Sequence, residues 1–184
     1  MRHSSDDYRL IDRTAIELRI DYGFLSEKLD VFALAKKLNI HVIPYSYLSY
    51  EQKTKVTSMN EFLKDGFTVM RYIGGKWDFY IFYDDSVGRY RQRFTIAHEI
   101  KHIIFLEKEP TQKQEDLADH FARYLLAPSF MVMGYLKLSS SDVSDAFDIS
   151  YEAAEYALKG ARNRIDYGHS KLEDYEKEFV ELME

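Results

Sequence analysis

The sequence predicts an α+β fold: N-terminal helices, a small and mainly antiparallel sheet, two central helices carrying an unusual polar set, and a helical C-terminal part. Three observations predict it. Apolar residues recur at helical spacing on both sides of the centre, as Leu10, Ile11, Ala15, Ile16 and Leu18 and again as Ala153, Ala154, Ala157 and Leu158. Two runs of β-formers, Phe67 to Ile73 and Trp77 to Tyr83, flank Gly74-Gly75-Lys76. A largely apolar stretch from Phe94 to Leu106 holds a few polar side chains at helical intervals. The 184 residues, 46% of them hydrophobic, suffice for one compact domain or one domain with a small helical appendage.

The first helix is expected over Tyr8 to Ile20, broken at Asp21-Tyr22-Gly23. Asp30 suits the N-cap of a second helix, in which Val31, Leu34, Ala35 and Leu38 share a face, and His41-Val42-Ile43 follows as a short strand. The two β runs form an antiparallel hairpin, and Asp84 to Arg93 reads as a polar loop before the apolar helix. Pro110-Thr111 opens the next helix, with Thr111 and Gln114 at capping-box spacing, and Pro128 ends it near Ala127. Ser139-Ser140-Ser141 and Ser150 cap two further helices, a pair similar to a small helix-turn-helix. The acidic tail from Ser170 sets Leu172, Tyr175, Phe179 and Leu182 on one stripe, enough to dock on the domain or on a partner. The expected division is a first domain over residues 1–138 and a C-terminal helical region over residues 139–184.

Composition removes several classes of chemistry. With no cysteine there is no disulfide framework and no thiolate, so any metal must be held by histidine and carboxylate. A net charge of −6 argues against broad binding to a phosphate backbone. No apolar run reaches the roughly 20 residues needed to span a bilayer, and the polar start MRHSSDDYR lacks the apolar stretch of a secretory signal, so a cytoplasmic address is expected.

His98-Glu99-Ile100-Lys101-His102 is the pattern HExxH. On a helix its i, i+4 spacing puts both imidazoles on one face, where two ring nitrogens can share a metal. Glu99 lies beside them, placed to take a proton from water as general base and to pass it to a leaving amine. The bland alternative is a solvated helix face. Against it, Ile96, Ala97, Ile100, Ile103 and Ile104 mark a buried helix, where unpaired histidines and a glutamate would carry a desolvation cost. Catalytic zinc takes three protein ligands and leaves one position open, and the next helix offers Glu115 as the third. Asp119, one turn further on, is placed to accept the N–H of a liganding histidine. His120 points about 140° around the helix from Glu115 and is expected to be structural.

Arg93-Phe94-Thr95-Ile96-Ala97 before HExxH, with Glu115-x-x-Ala118-Asp119-x-Phe121-Ala122-x-x-Leu125-Leu126-x-Pro128 after it, resembles the ImmA/IrrE family of metallopeptidases over roughly residues 25–165. The resemblance implies a zincin-like, gluzincin-type core in which His98, His102 and Glu115 bind Zn²⁺ and Glu99 is catalytic. It further implies a zinc endopeptidase that cleaves a helix-turn-helix transcriptional repressor, in a stress response or in transfer of a mobile element. Two positions depart from the family. Asp119 stands where the family often has Asn, and Lys101 stands where a small residue, usually Gly, is common. Lys101 is expected on the exposed side of the helix, where it would alter preference for substrate charge.

Tyr90, Arg91 and Arg93 precede the active-site helix and are candidates for stabilising an oxyanion or contacting substrate. Histidine and carboxylate ligands also suit Mn²⁺, which cellular availability could favour. The competing reading is a non-catalytic module that sequesters a repressor or an antitoxin-like partner; no fourth protein ligand is in evidence to close a structural zinc site. Direct binding of nucleic acid by residues 139–165 is not expected, because Glu152, Glu155 and Asp166 offset Lys159, Arg162 and Arg164.

Overall fold

The computed structural model describes residues 5–52, 54 and 65–183. His3, to which the sequence assigns no function, lies outside them. The chain forms two compact units, one of Val31–Ala118 and one of Met1–Asp30 together with Asp119–Glu184.

The Val31–Ala118 unit is α+β. Its first helix, α2 (Val31–Lys37; α1, Ser5–Asp21, belongs to the other unit), buries Val31, Leu34 and Ala35, the face expected from their spacing. Asn39 in the left-handed conformation (φ 56°) turns the chain into strand β1 (Ile40–Pro44). Strands β2 (Gly66–Ile73) and β3 (Lys76–Tyr83) form the hairpin, and Gly74 and Gly75 take φ of 58° and 83°. A two-residue turn of type I′ requires positive φ at both positions, which glycine alone adopts without a steric cost. The sheet order is β1-β3-β2; β3 pairs antiparallel with β2 and parallel with β1, with Ile40 opposite Phe79.

Helix α3 (Arg89–Ile104) packs on β2 and β3 and buries Ile96, Ala97, Ile100 and Ile103. It begins inside the stretch expected as a loop. Arg91 and Gln92 donate their backbone N–H to the carbonyl of Gly88 at 2.9 and 3.1 Å, so a polar first turn forms at the surface without any apolar face. Where β2 starts, backbone and helix approach closely: a Cβ added to Gly66 would lie 2.5 Å from Thr95 Cγ2 and 2.8 Å from the Phe82 carbonyl oxygen. Helix α4 (Gln112–Leu126) opens with the expected capping box, Thr111 N–H donating to Gln114 Oε1 at 2.8 Å and Gln114 N–H to Thr111 Oγ1 at 3.4 Å.

The other unit is helical. It contains α1 (Ser5–Asp21), the end of α4, α5 (Ser129–Val132), α6 (Ser140–Phe147), α7 (Tyr151–Asp166) and α8 (Asp174–Met183). Ser139 and Ser150 cap α6 and α7 by accepting from Asp142 N–H and Ala153 N–H, and the two helices pack together. The tail helix α8 docks on α1, with Phe179 fully buried against Phe130. Leu182 is exposed, so the expected stripe is incomplete, and the buried Glu176 lies on the docked face instead. A carboxylate is tolerated there because Arg164 grips both its oxygens at 2.6 Å, Tyr124 Oη–H donates at 2.5 Å and Glu173 N–H at 2.8 Å. The hydrogen bond to Glu176 holds the Arg164 guanidinium pKa above its ordinary value. Arg19, wholly buried, donates to the carbonyls of Phe24, Ser26 and Leu125, and burial lowers its pKa to about 10. Among the described residues, no helix is long and apolar enough to cross a membrane.

Candidate metal centre

Helix α3 presents His98 and His102 one turn apart, and the start of α4 brings Glu115 to them within the Val31–Ala118 unit. The Nε2 atoms of the two histidines are 3.1 Å apart. His98 Nε2 lies 3.1 Å from Glu115 Oε2, and His102 Nε2 lies 3.7 Å from Glu115 Oε1. Among the described residues this is the group of histidines and carboxylates that could hold a metal ion. The spacing tests that idea. Ligand atoms about 2.0–2.1 Å from a tetrahedral zinc stand about 3.3–3.4 Å from one another. The two Nε2 atoms, and His98 Nε2 with Glu115 Oε2, are each 3.1 Å apart, close to that value, while the other Glu115 oxygen is 3.7 Å from His102; two imidazole nitrogens facing each other beside a carboxylate suit a shared cation better than a shared void.

Glu99 is 7% exposed and points its carboxylate to the edge strand, where Thr68 Oγ1–H donates to its Oε2 at 2.6 Å. The sheet thereby fixes the orientation of the motif glutamate. Tyr45 has a buried hydroxyl, and its pKa is raised first by that burial and then by the charges of Glu99, Asp84 and Asp65. Sequence reasoning singled out neither Thr68 nor Tyr45, because strand register decides which side chain of β2 or of the turn after β1 meets α3.

The remaining candidates are spread out. Arg91 pairs with Asp65 and lies over the Phe94 ring; seven residues before His98, it shares that face about 10 Å away. Tyr90 is exposed, and Arg93 is buried on the side of Ile100. Asp119 is half-buried, with Arg123 at 3.4 Å. The carboxylate found at His102 Nδ1 is Glu107, at 2.8 Å, a residue the sequence did not mark because it lies beyond the end of the helix. Lys101 is also placed differently from expectation. It is 1% exposed and buried against Glu107 and the carbonyl of Gln114, so it does not present charge to a substrate. The reason is that α4 and the turn after α3 cover the face of α3 that Lys101 occupies. His120 has a structural setting, 2.6 Å from Asp12 and edge-on to Tyr8.

An α+β fold with an HExxH helix on a small sheet, faced by a glutamate from the next helix, defines the class of zincin-like peptidases. Within that class, the chain belongs to the peptidase family described as the IrrE N-terminal-like domain, whose model matches residues 35–159. The match begins in α2 and ends in α7, so it includes the whole sheet and both helices that build the site. Comparison with curated proteins returns no match.

Proposed function

We propose that the protein is a zinc-dependent endopeptidase with His98, His102 and Glu115 as ligands and Glu99 as catalytic base, cleaving a helix-turn-helix repressor in the cytoplasm. The observation that carries the reading is the convergence of the two Nε2 atoms, 3.1 Å apart, on the Glu115 carboxylate, whose Oε2 lies 3.1 Å from His98 and whose Oε1 lies 3.7 Å from His102. Membership of a peptidase family supports a protein substrate; the repressor is favoured by the motif resemblance. Manganese would fit the same donors.

A divalent metal held there supplies Lewis acidity, polarising a scissile carbonyl and acidifying a water molecule. The chain's own part is proton handling. Glu99, oriented by Thr68, takes a proton from the attacking water and delivers it to the leaving amine nitrogen. Glu115 and the two histidines would hold the ion, with the carboxylate offsetting part of its charge. Asp119 and Arg91 support the site in this reading, Asp119 by orienting a ligand and Arg91 by contacting substrate.

The test is metal content of the purified protein and of Glu115→Ala, with cleavage of the repressor encoded nearest to its gene. About one zinc per chain is expected, lost in Glu115→Ala together with cleavage, whereas Glu99→Gln keeps the metal and loses turnover. Retained cleavage by Glu99→Gln refutes the mechanism. Metal-free protein that binds the repressor without cutting it replaces the reading with a sequestering module.

A further inference from the structure

Helix α3 ends in a turn that folds a second polar cluster onto the metal ligands. Leu106 takes the left-handed conformation (φ 51°), its N–H bonds the carbonyl of Ile103 at 3.1 Å, and Glu107 N–H bonds the carbonyl of His102 at 2.8 Å. These are the two bonds of a Schellman closure, formed around a leucine where glycine is usual. The closure sends the Glu107 side chain back along the helix. Its Oε2 lies 2.8 Å from His102 Nδ1, and both its oxygens meet Lys101 Nζ, at 2.7 and 2.5 Å. Lys101 Nζ also donates to the carbonyl of Gln114 at 3.1 Å, the residue before Glu115. The three protons of a buried ammonium thus face three acceptors, and the charge of Glu107 is matched inside the fold.

We propose that Glu107, held by Lys101, is the positioning carboxylate of His102, and that Lys101 ties the ends of α3 and α4 so that Glu115 meets the two histidines. The inference rests on the reading of the trio as metal ligands and deepens it. A carboxylate only accepts, so the 2.8 Å contact places a proton on Nδ1 and leaves the lone pair on Nε2. The other tautomer would set two lone pairs against each other at that distance and turn an N–H toward His98 Nε2, 3.1 Å away. Geometry therefore selects the tautomer that can ligate, and the lysine keeps the selecting carboxylate from rotating away.

The test uses the full chain. Zinc affinity is measured by competition with a chromophoric chelator for wild type, Glu115→Ala, Glu107→Gln and the double variant Lys101→Met/Glu107→Leu, whose apolar pair keeps similar volume so that folding survives. The His102 ring tautomer is read from long-range proton–nitrogen NMR spectra of the metal-free proteins. Wild type is expected to carry the proton on Nδ1. Both Glu107 variants are expected to lose about 10–100-fold in zinc affinity, and the double variant to show mixed tautomers. A double variant that binds zinc within twofold of wild type with an unchanged tautomer overturns the proposal and leaves Lys101–Glu107 a packing pair. If wild type and Glu115→Ala take up zinc equally poorly, the metal reading itself fails, and the tautomer spectra still decide the role of Glu107.

Discussion

Replacing Glu176 by alanine tests how the tail helix is held. The carboxylate is 1% exposed and receives four hydrogen bonds: two from Arg164 at 2.6 Å, one from Tyr124 at 2.5 Å and one from Glu173 N–H at 2.8 Å. Truncation leaves the Arg164 guanidinium, only 13% exposed, without its counter-charge, and the Tyr124 hydroxyl without its acceptor. Breaking a buried pair from one side costs about 3–5 kcal/mol, far above the roughly 0–1 kcal/mol of a surface pair. In a chain of 184 residues each kcal/mol lowers the melting temperature by about 2–4 °C, so a fall of roughly 6–20 °C is expected. The assay is thermal and urea unfolding followed by circular dichroism, beside Glu176→Leu/Arg164→Met. That double variant removes both charges and should recover most of the loss. A Glu176→Ala protein within about 1 kcal/mol of wild type would show that this network does not hold α8 and would refute the reasoning.

Three further perturbations follow from other parts of the molecule. Gly66→Ala should destabilise by about 1–3 kcal/mol, because the new Cβ meets Thr95 Cγ2 at 2.5 Å and the Phe82 carbonyl at 2.8 Å; an unchanged urea midpoint contradicts the close approach of β2 and α3. Thr68→Val removes the 2.6 Å bond to Glu99 and should lower turnover about tenfold with zinc content unchanged, whereas Thr68→Ser retains activity; equal rates for all three proteins would dismiss Thr68 as an orienting group. Asp12 has its pKa raised above 3.8, chiefly by burial and against the opposing pull of His120. Above pH 3.8 the folded state then binds this proton more readily than the unfolded chain, so this group's contribution to stability rises as pH falls toward that value. Asp12→Asn should abolish that rise, and denaturation midpoints of the two proteins that run parallel from pH 7 to about pH 4 would disprove the shift.

What could be read directly from the sequence was local. HExxH puts His98 and His102 on one face because 3.6 residues make a helical turn whatever the surroundings. Gly74-Gly75 makes a two-residue turn, Thr111 with Gln114 makes a cap, and Ser139 and Ser150 start helices, because each satisfies its own backbone within a few residues. The family resemblance was legible for the same reason, being carried by residues at fixed spacing on two helices.

Tertiary structure decided which side chains those faces meet. Lys101 reads as a surface lysine until α4 and the turn after α3 cover it, and Glu107 reads as a loop residue until Leu106 reverses the chain onto His102. Thr68 acquires its contact with Glu99 from the register of β2 against β3, and the parallel pairing of β1 with β3 has no signature in either strand. Glu176 lies on a face that composition would assign to solvent, and only Arg164 and Tyr124, distant in sequence, make its burial tolerable. The shared face of His98 and His102 was therefore foreseeable from helical periodicity, whereas the side chains that meet His102 and Glu99 depend on long-range contacts that no local pattern encodes.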